Sequence, residues 1–494
     1  MPALARPNWL PLLAVVPAVL LAVQVHFTCG IVYSIDDPYI HLALARQILN
    51  GHYGINPGEF AAPSSSILWP LLLAPLSFTR LVEFLPLVLN LLSLLLAVWW
   101  IERWLETYLE PLVALMATTT LAFALNFYGL VLSGMENSLQ VALVVVIGIS
   151  LVRGRIGWPF WLAVIVLPLI RYEGLAISLP ALAWLVLSPG QRMSAILAGA
   201  TIAVAVGGFS LFLFGHDVGW LPSSVLAKNG LSFMLDLRNS TAILDNVENQ
   251  SFFVAVALFA ALLYVLEGRI AECLLLVVVP TLLHLMFGRY GWFGRYHIYF
   301  ATWILIVFLA PYARSHLSSL MPLNLVIVGW FAWASFDPAI ATLTTASGSR
   351  NIADQQKQMA TIARDYLDEP VAVNDLGFVS YYSKRYVLDL GGLASFEALR
   401  LRADPASDVW IRRLMDRQQV EHAMVYDSWF ERRPANWIRV ATLSLPKPWV
   451  SVGGDQVAFY STSPQAAARL RKALAEYRKS SIQAAMMLAL TDPG

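Results

Sequence analysis

Charge and cysteine are what this sequence lacks. Asp, Glu, Lys and Arg make up 13% of its 494 residues, against roughly a quarter in soluble domains, so little of the chain is written for water. Cys29 and Cys273 are the only cysteines, too few and too far apart for a disulfide framework or a zinc cluster. Thirty-three basic residues against 32 acidic ones leave a formal charge of +1, which gives no case for a nucleic-acid partner. Neither a G-x-x-x-x-G-K-[ST] loop nor a strand-borne G-x-G-x-x-G motif is present. Asp389-Leu-Gly-Gly392 is a weak phosphate-loop lookalike that reads as a turn, so no nucleotide cofactor is expected.

What fills the sequence instead is apolar: 58% hydrophobic residues and a mean hydropathy of +0.63. Runs of roughly 20 apolar residues match the thickness of a bilayer core. The pattern predicts about eleven spans, near 9–30, 83–101, 111–126, 136–152, 158–170, 174–189, 194–214, 251–266, 270–287, 297–312 and 317–336. The fifth and sixth are short for full crossings and are expected to tilt or re-enter. The first lacks an A-x-A-like cleavage site and reads as a retained span rather than a signal peptide.

With the N-terminus in the cytoplasm, the returning loops carry Arg103, Arg153, Arg155, Arg192, Arg269 and Arg314, as the positive-inside rule requires. The opposite face then receives 31–82, 215–250 and everything from about 337. Arg171, Arg289 and Arg295 fall on that outer side and need another explanation.

From Asp337 the composition turns ordinary. Short strands are expected at 370–373, 386–390 and 422–426, with helices near 352–367, 407–418 and 465–490. The expected organisation is a polytopic α-helical membrane domain over 1–336 and a small extracytoplasmic α/β domain over 337–494.

The first outer loop reads Ser34-Ile-Asp36-Asp37-Pro38-Tyr-Ile-His41. Asp37 as N-cap and Pro38 at the first helical position make a good helix start. Ile40, Leu44, Ile48 and Leu49 then form an apolar stripe, as in an amphipathic helix on the membrane surface. Capping is an adequate job for Asp37. Asp36 lies one residue outside the cap, where the helix dipole favours its ionised form. It is suited to bind a cation or orient a hydroxyl. His41 follows one turn later.

Four polar clusters punctuate the spans on the same face: Gly134-Met-Glu136, Arg171-Tyr-Glu173-Gly174, Leu221 to Lys228, and Gly294-Arg295-Tyr296-His297. Each has a mundane reading. Glu136 could sit at a helix start, Arg171 could pair with Glu173, and Lys228 could be solvated. Charges at membrane depth are costly, however, and mark sites or pathways. Together they could bind a metal or a hydroxyl acceptor beside a phosphate-bearing ligand.

Asp36-Asp37-Pro-Tyr-Ile-His, Ala45-Arg46, Gly51-His-Tyr-Gly54, Asn56-Pro-Gly-Glu59 and Pro63-Ser-Ser-Ser66 resemble the first outer loop of GT-C glycosyltransferases. The resemblance covers about residues 9–312. It looks closest to the bacterial branch with terminal arabinofuranosyltransferases of mycobacterial cell walls and pilin arabinosyltransferases. It implies transfer of a sugar from a polyprenyl phosphate to a hydroxyl of a glycan or protein, outside a bacterial inner membrane and with inversion. It implies Asp36, with Asp37, as the catalytic acidic pair, although the family commonly has Asp-Glu here. It also implies a divalent cation (Mg, Mn or Ca) held by Asp36 and Glu136. The lipid phosphate would be met by Arg295, Lys228 and Arg171. His41, Glu173, Tyr296 and His297 would complete the substrate site. The rival class is a transporter or flippase of a lipid-linked or anionic substrate, which would need polar groups near the membrane midplane.

Overall fold

The computed structural model describes residues 10–229, 240–402, 408–430, 432–480 and 486–491. Among these, four helices are long and apolar enough to cross a membrane: Pro11–Cys29, Arg80–Leu105, Arg192–Gly215 and Ile270–Phe287. The number rises to as many as seven if each of three bent pairs is one span. Those pairs are Pro111–Ala124 with Phe127–Ser133, Ile243–Asn249 with Ser251–Leu266, and Met321–Ala334 with Phe336–Leu367. The expected eleven or so spans are therefore not reproduced by length. Asn137–Val152, Trp158–Ile170, Tyr172–Val186 and Ile298–Arg314 are apolar but shorter. At 1.5 Å per residue, such helices cover about 20–26 Å of a core about 30 Å thick.

The short helices lie inside. Asn137–Val152 is buried along nearly its whole length, packed against Leu85–Leu105, Trp158–Ile170 and Ile298–Arg314. The long helices Pro11–Cys29 and Arg192–Gly215 are outermost, with 17% of their apolar windows buried. The rest faces outward, as a lipid-facing helix does.

The C-terminal region forms a six-stranded sheet: β1 (Val371–Val373), β2 (Val387–Asp389), β3 (His422–Val425), β4 (Ile438–Ser444), β5 (Gln456–Ser461) and β6 (Leu488–Leu490). The order is β2-β1-β3-β5-β4-β6, with β1 parallel to both neighbours and the remaining pairs antiparallel. The first three strands match expectation. The helix expected over 465–490 is instead Pro464–Ser480 followed by β6. Leu488-Ala-Leu490 has no strong strand propensity, and pairing with Ala441, Thr442 and Leu443 overrides it. Strand order reverses between β2-β1 and β1-β3, and the crevice beyond the carboxyl ends of parallel strands at such a point is where ligands settle.

The first-loop helix, Asp37–Leu49, is packed inside the protein instead of keeping one face exposed. Residues 38–45 are all buried. Tyr39, Ile40, Leu42, Ala43, Leu44 and Ala45 make it apolar on every side, which is the signature of a fully packed helix. Tyr33, Tyr39, Ile40 and Ala43 share one hydrophobic core with Val371, Val373, Phe378 and Val379 of the sheet region. The Tyr39 and Phe378 rings lie 3.9 Å apart between centroids. This shared core joins the first loop to the carboxyl end of β1.

Candidate functional site

At that junction Asp36 occupies the N-cap position of Asp37–Leu49 yet makes no side-chain bond to its own helix. The expected cap, Asp37, is already helical. Asp36 caps a different helix, Gly377–Tyr382: its carboxylate accepts from the Gly377 amide at 2.5 Å and the Phe378 amide at 2.8 Å. A Cβ at 377 would collide with the Asp36 carbonyl and carboxylate, so glycine alone permits the approach. Burial lifts Asp36 well above the usual carboxylate range and the charge of Asp375 lifts it further, with the Phe378 amide pulling the other way. Asp375 is itself raised, chiefly by burial, while accepting from Gln356 at 2.7 Å and the Tyr426 hydroxyl at 3.0 Å. Two neighbouring buried carboxyls of this kind hold a proton between them rather than two charges.

Asp37 faces differently. Its side chain keeps 30% of its exposure and pairs with the Arg295 guanidinium. Arg295 Nη2 also donates to the Tyr296 hydroxyl at 2.9 Å, and its guanidinium carbon lies 4.8 Å from the Tyr296 ring centre. Arg295 is 2% exposed, and its Nε and Nη1 are buried without a hydrogen-bond partner. Tyr296 also meets Arg171, whose guanidinium carbon is 5.7 Å from the ring centre. Arg171 bridges Glu136 at 2.7 Å and Glu173 at 2.8 Å, and Glu136 lies 3.6 Å from His41 Nε2.

A cavity of about 340 Å³ opens beside this network between Leu175–Val186 and Val279–Phe287. Its polar end carries Glu173, Arg289, Tyr172 and Tyr296, and its walls are Ala176, Leu179, Leu221, Val225, Leu283 and Phe287. The three arginines expected to depart from the positive-inside rule all lie here. Arg171 and Arg295 are paired in the cluster and Arg289 lines its cavity.

Asp36, Asp37, His41, Glu136, Arg171, Glu173, Arg295 and Tyr296 therefore come together from four separated stretches of sequence. His297 does not join them. Its ring lies 4.5 Å from that of Tyr290, beside a second cavity of about 310 Å³ lined also by Phe293 and Asp337. Lys228 is in the helix Ser223–Asn229, with its side chain outside the described residues. Of the expected metal pair, Asp36 has an amide on each oxygen and Glu136 has Arg171 on Oε1. Among the described residues, no group of three or more His, Cys, Asp or Glu could hold a metal ion.

Sequence reading missed Asp375, Gln356 and Tyr426. Acids and amides are ordinary in the C-terminal composition. The usable signal was Asn374-Asp375-Leu-Gly377 directly after a short apolar strand.

Residues 350–460 match a family described as a domain of unknown function, DUF8728. That stretch includes Asp375, Gly377 and Tyr426. No curated protein matches the chain. Among solved structures, the chain is similar to the Archaeoglobus fulgidus oligosaccharyltransferase, crystallised with Zn and sulfate. The identity is 12%, over 88% of this chain and 72% of that one, with a TM-score of 0.45.

Proposed function

We propose that this protein is a membrane glycosyltransferase. It moves a sugar, D-arabinofuranose in the nearest resemblance, from a polyprenyl phosphate to a hydroxyl of a cell-surface glycan or protein on the extracytoplasmic face. The observation that carries the reading is a buried arginine with two unused donors, Arg295, paired with Asp37 and bonded to Tyr296, which lines a mostly apolar cavity. Buried donors of a cation call for an anion, and the adjoining walls suit an isoprenoid tail.

In this reading Arg295 and Arg289 take the lipid phosphate. Arg295 turns to it and loosens its pairing with Asp37. Asp37 then accepts the proton of the acceptor hydroxyl as the hydroxyl oxygen bonds to the anomeric carbon. The anomeric carbon–oxygen bond to phosphate breaks, and its electron pair departs with the polyprenyl phosphate. The roles expected of the acidic pair are thereby exchanged: Asp37 is the base, and Asp36 fixes the loop to the sheet.

The test is purified protein in lipid nanodiscs, supplied with a panel of polyprenyl-phosphate sugars and hydroxyl acceptors. Transfer by the wild type and a loss of at least about 100-fold in Asp37→Asn are expected. Full activity of Asp37→Asn removes the proposed base. Flux of a lipid-linked or anionic substrate across vesicles without transfer makes the protein a transporter.

A further inference from the structure

Arg295 is delivered by an unusual piece of backbone. Gly291, Trp292, Phe293 and Gly294 all have positive φ, at 79°, 45°, 59° and 60°. L-residues avoid this region, large aromatic ones most of all, so two in succession must be held there by their surroundings. The turn ends where Arg295 and Tyr296 begin.

The holder is Asn126. It is fully buried and itself left-handed, with φ 57°, a conformation that asparagine tolerates better than most residues. It stands at the break where Pro111–Ala124 bends by 52° into Phe127–Ser133. Its Nδ2 donates to the carbonyls of Phe293 and Gly294, both at 3.1 Å, and its Oδ1 accepts from Thr342 at 2.9 Å. A Cβ on Gly294 would meet Asn126 Nδ2 at 3.2 Å and Ala341 at 3.3 Å, so the turn is also pressed close.

We propose that Asn126 is a positioning residue: its amide, oriented by Thr342, holds the left-handed turn that aims Arg295 at Asp37 and at the donor phosphate. The phosphate part rests on the proposed function; the aiming of Arg295 does not. No other hydrogen bond from a side chain reaches the Phe293 or Gly294 carbonyl among the described residues.

Two measurements test it separately. Asp37→Cys with Arg295→Cys, in a protein with Cys29 and Cys273 replaced by serine, reports the geometry through a short bifunctional thiol cross-linker. Asn126→Gly keeps the left-handed backbone and deletes the amide; it is expected to cut the cross-linking yield several-fold, and Thr342→Val to cut it less. Affinity for decaprenyl phosphate is then expected to fall about tenfold in Asn126→Gly, and not at all when the substitution is made on top of Arg295→Ala. An unchanged cross-linking yield overturns the proposal, as does an equal affinity loss with and without Arg295. A reduced yield in a protein that binds no decaprenyl phosphate upholds the aiming of Arg295 and overturns the donor.

Discussion

Asp36 and Gly377 lie 341 residues apart in sequence and are joined by a 2.5 Å hydrogen bond from the Gly377 amide to the Asp36 carboxylate. With the Phe378 bond beside it, this contact ties the first loop to the strand-to-helix turn after β1. Asp36→Ala leaves both amides buried without acceptors, at about 1–3 kcal/mol for each. Asp36→Asn retains one acceptor and is expected to cost less. Thermal unfolding in detergent should therefore rank wild type above Asp36→Asn above Asp36→Ala. An alanine variant as stable as wild type would show that the bond holds nothing.

Arg171 is a different kind of tie, a buried cation between Glu136 and Glu173. Arg171→Met strands Glu136, which is fully buried, and is expected to destabilise by about 3–5 kcal/mol. Adding Glu136→Gln should recover much of that loss, since the stranded charge disappears. Additive costs in the unfolding of the double variant would contradict this.

Asp389, at the end of β2, is pushed up to about 6 by burial, against the pull of the Gly391 and Ala394 amides. A carboxyl raised in the folded state contributes stability that is full below its unfolded pKa near 4 and is lost as pH rises through about 6. The difference between pH 4 and pH 7 from this group is about 2 kcal/mol. Asp36 and Asp375 act in the same direction. Asp389→Asn should flatten the fall in melting temperature over this window relative to wild type. A parallel pair of curves would exclude Asp389 as its source.

The 340 Å³ cavity predicts a dependence on lipid length. Ala176→Phe fills its apolar wall and should raise the KM for a decaprenyl donor by about tenfold or more, while a short isoprenyl donor loses less. Arg289→Ala should raise the KM for both alike, because it removes a phosphate partner rather than a tail contact. Equal effects of Ala176→Phe on long and short donors would place the tail elsewhere.

Most of the paired cluster was legible because it stands against an apolar background. Glu136, Arg171, Glu173 and Arg295 are expensive where they are, so their presence alone marks them. Asp375 carries the same chemistry in a region where one acid in ten residues is unremarkable, and nothing in its neighbours points across the chain to Asp36. Strand β6 was hidden by a helix-favouring Ala-Leu run. The first-loop helix reads as amphipathic from the stripe of Ile40, Leu44, Ile48 and Leu49, with Asp37 as its cap. In the structure Asp37 pairs with Arg295, His41 lies beside Glu136, and Arg46 donates to the Tyr381 carbonyl at 2.9 Å. Asn126 could not have been found by composition, since its meaning depends on a turn made 167 residues later.

The Asp36 contact also sets an order of manufacture. The acidic pair leaves the ribosome some 340 residues before the amides that receive Asp36 are synthesised. Throughout insertion of the intervening helices the loop has its acids but not its anchor. A chain interrupted before Gly377 carries the acidic pair without the two amides that hold Asp36.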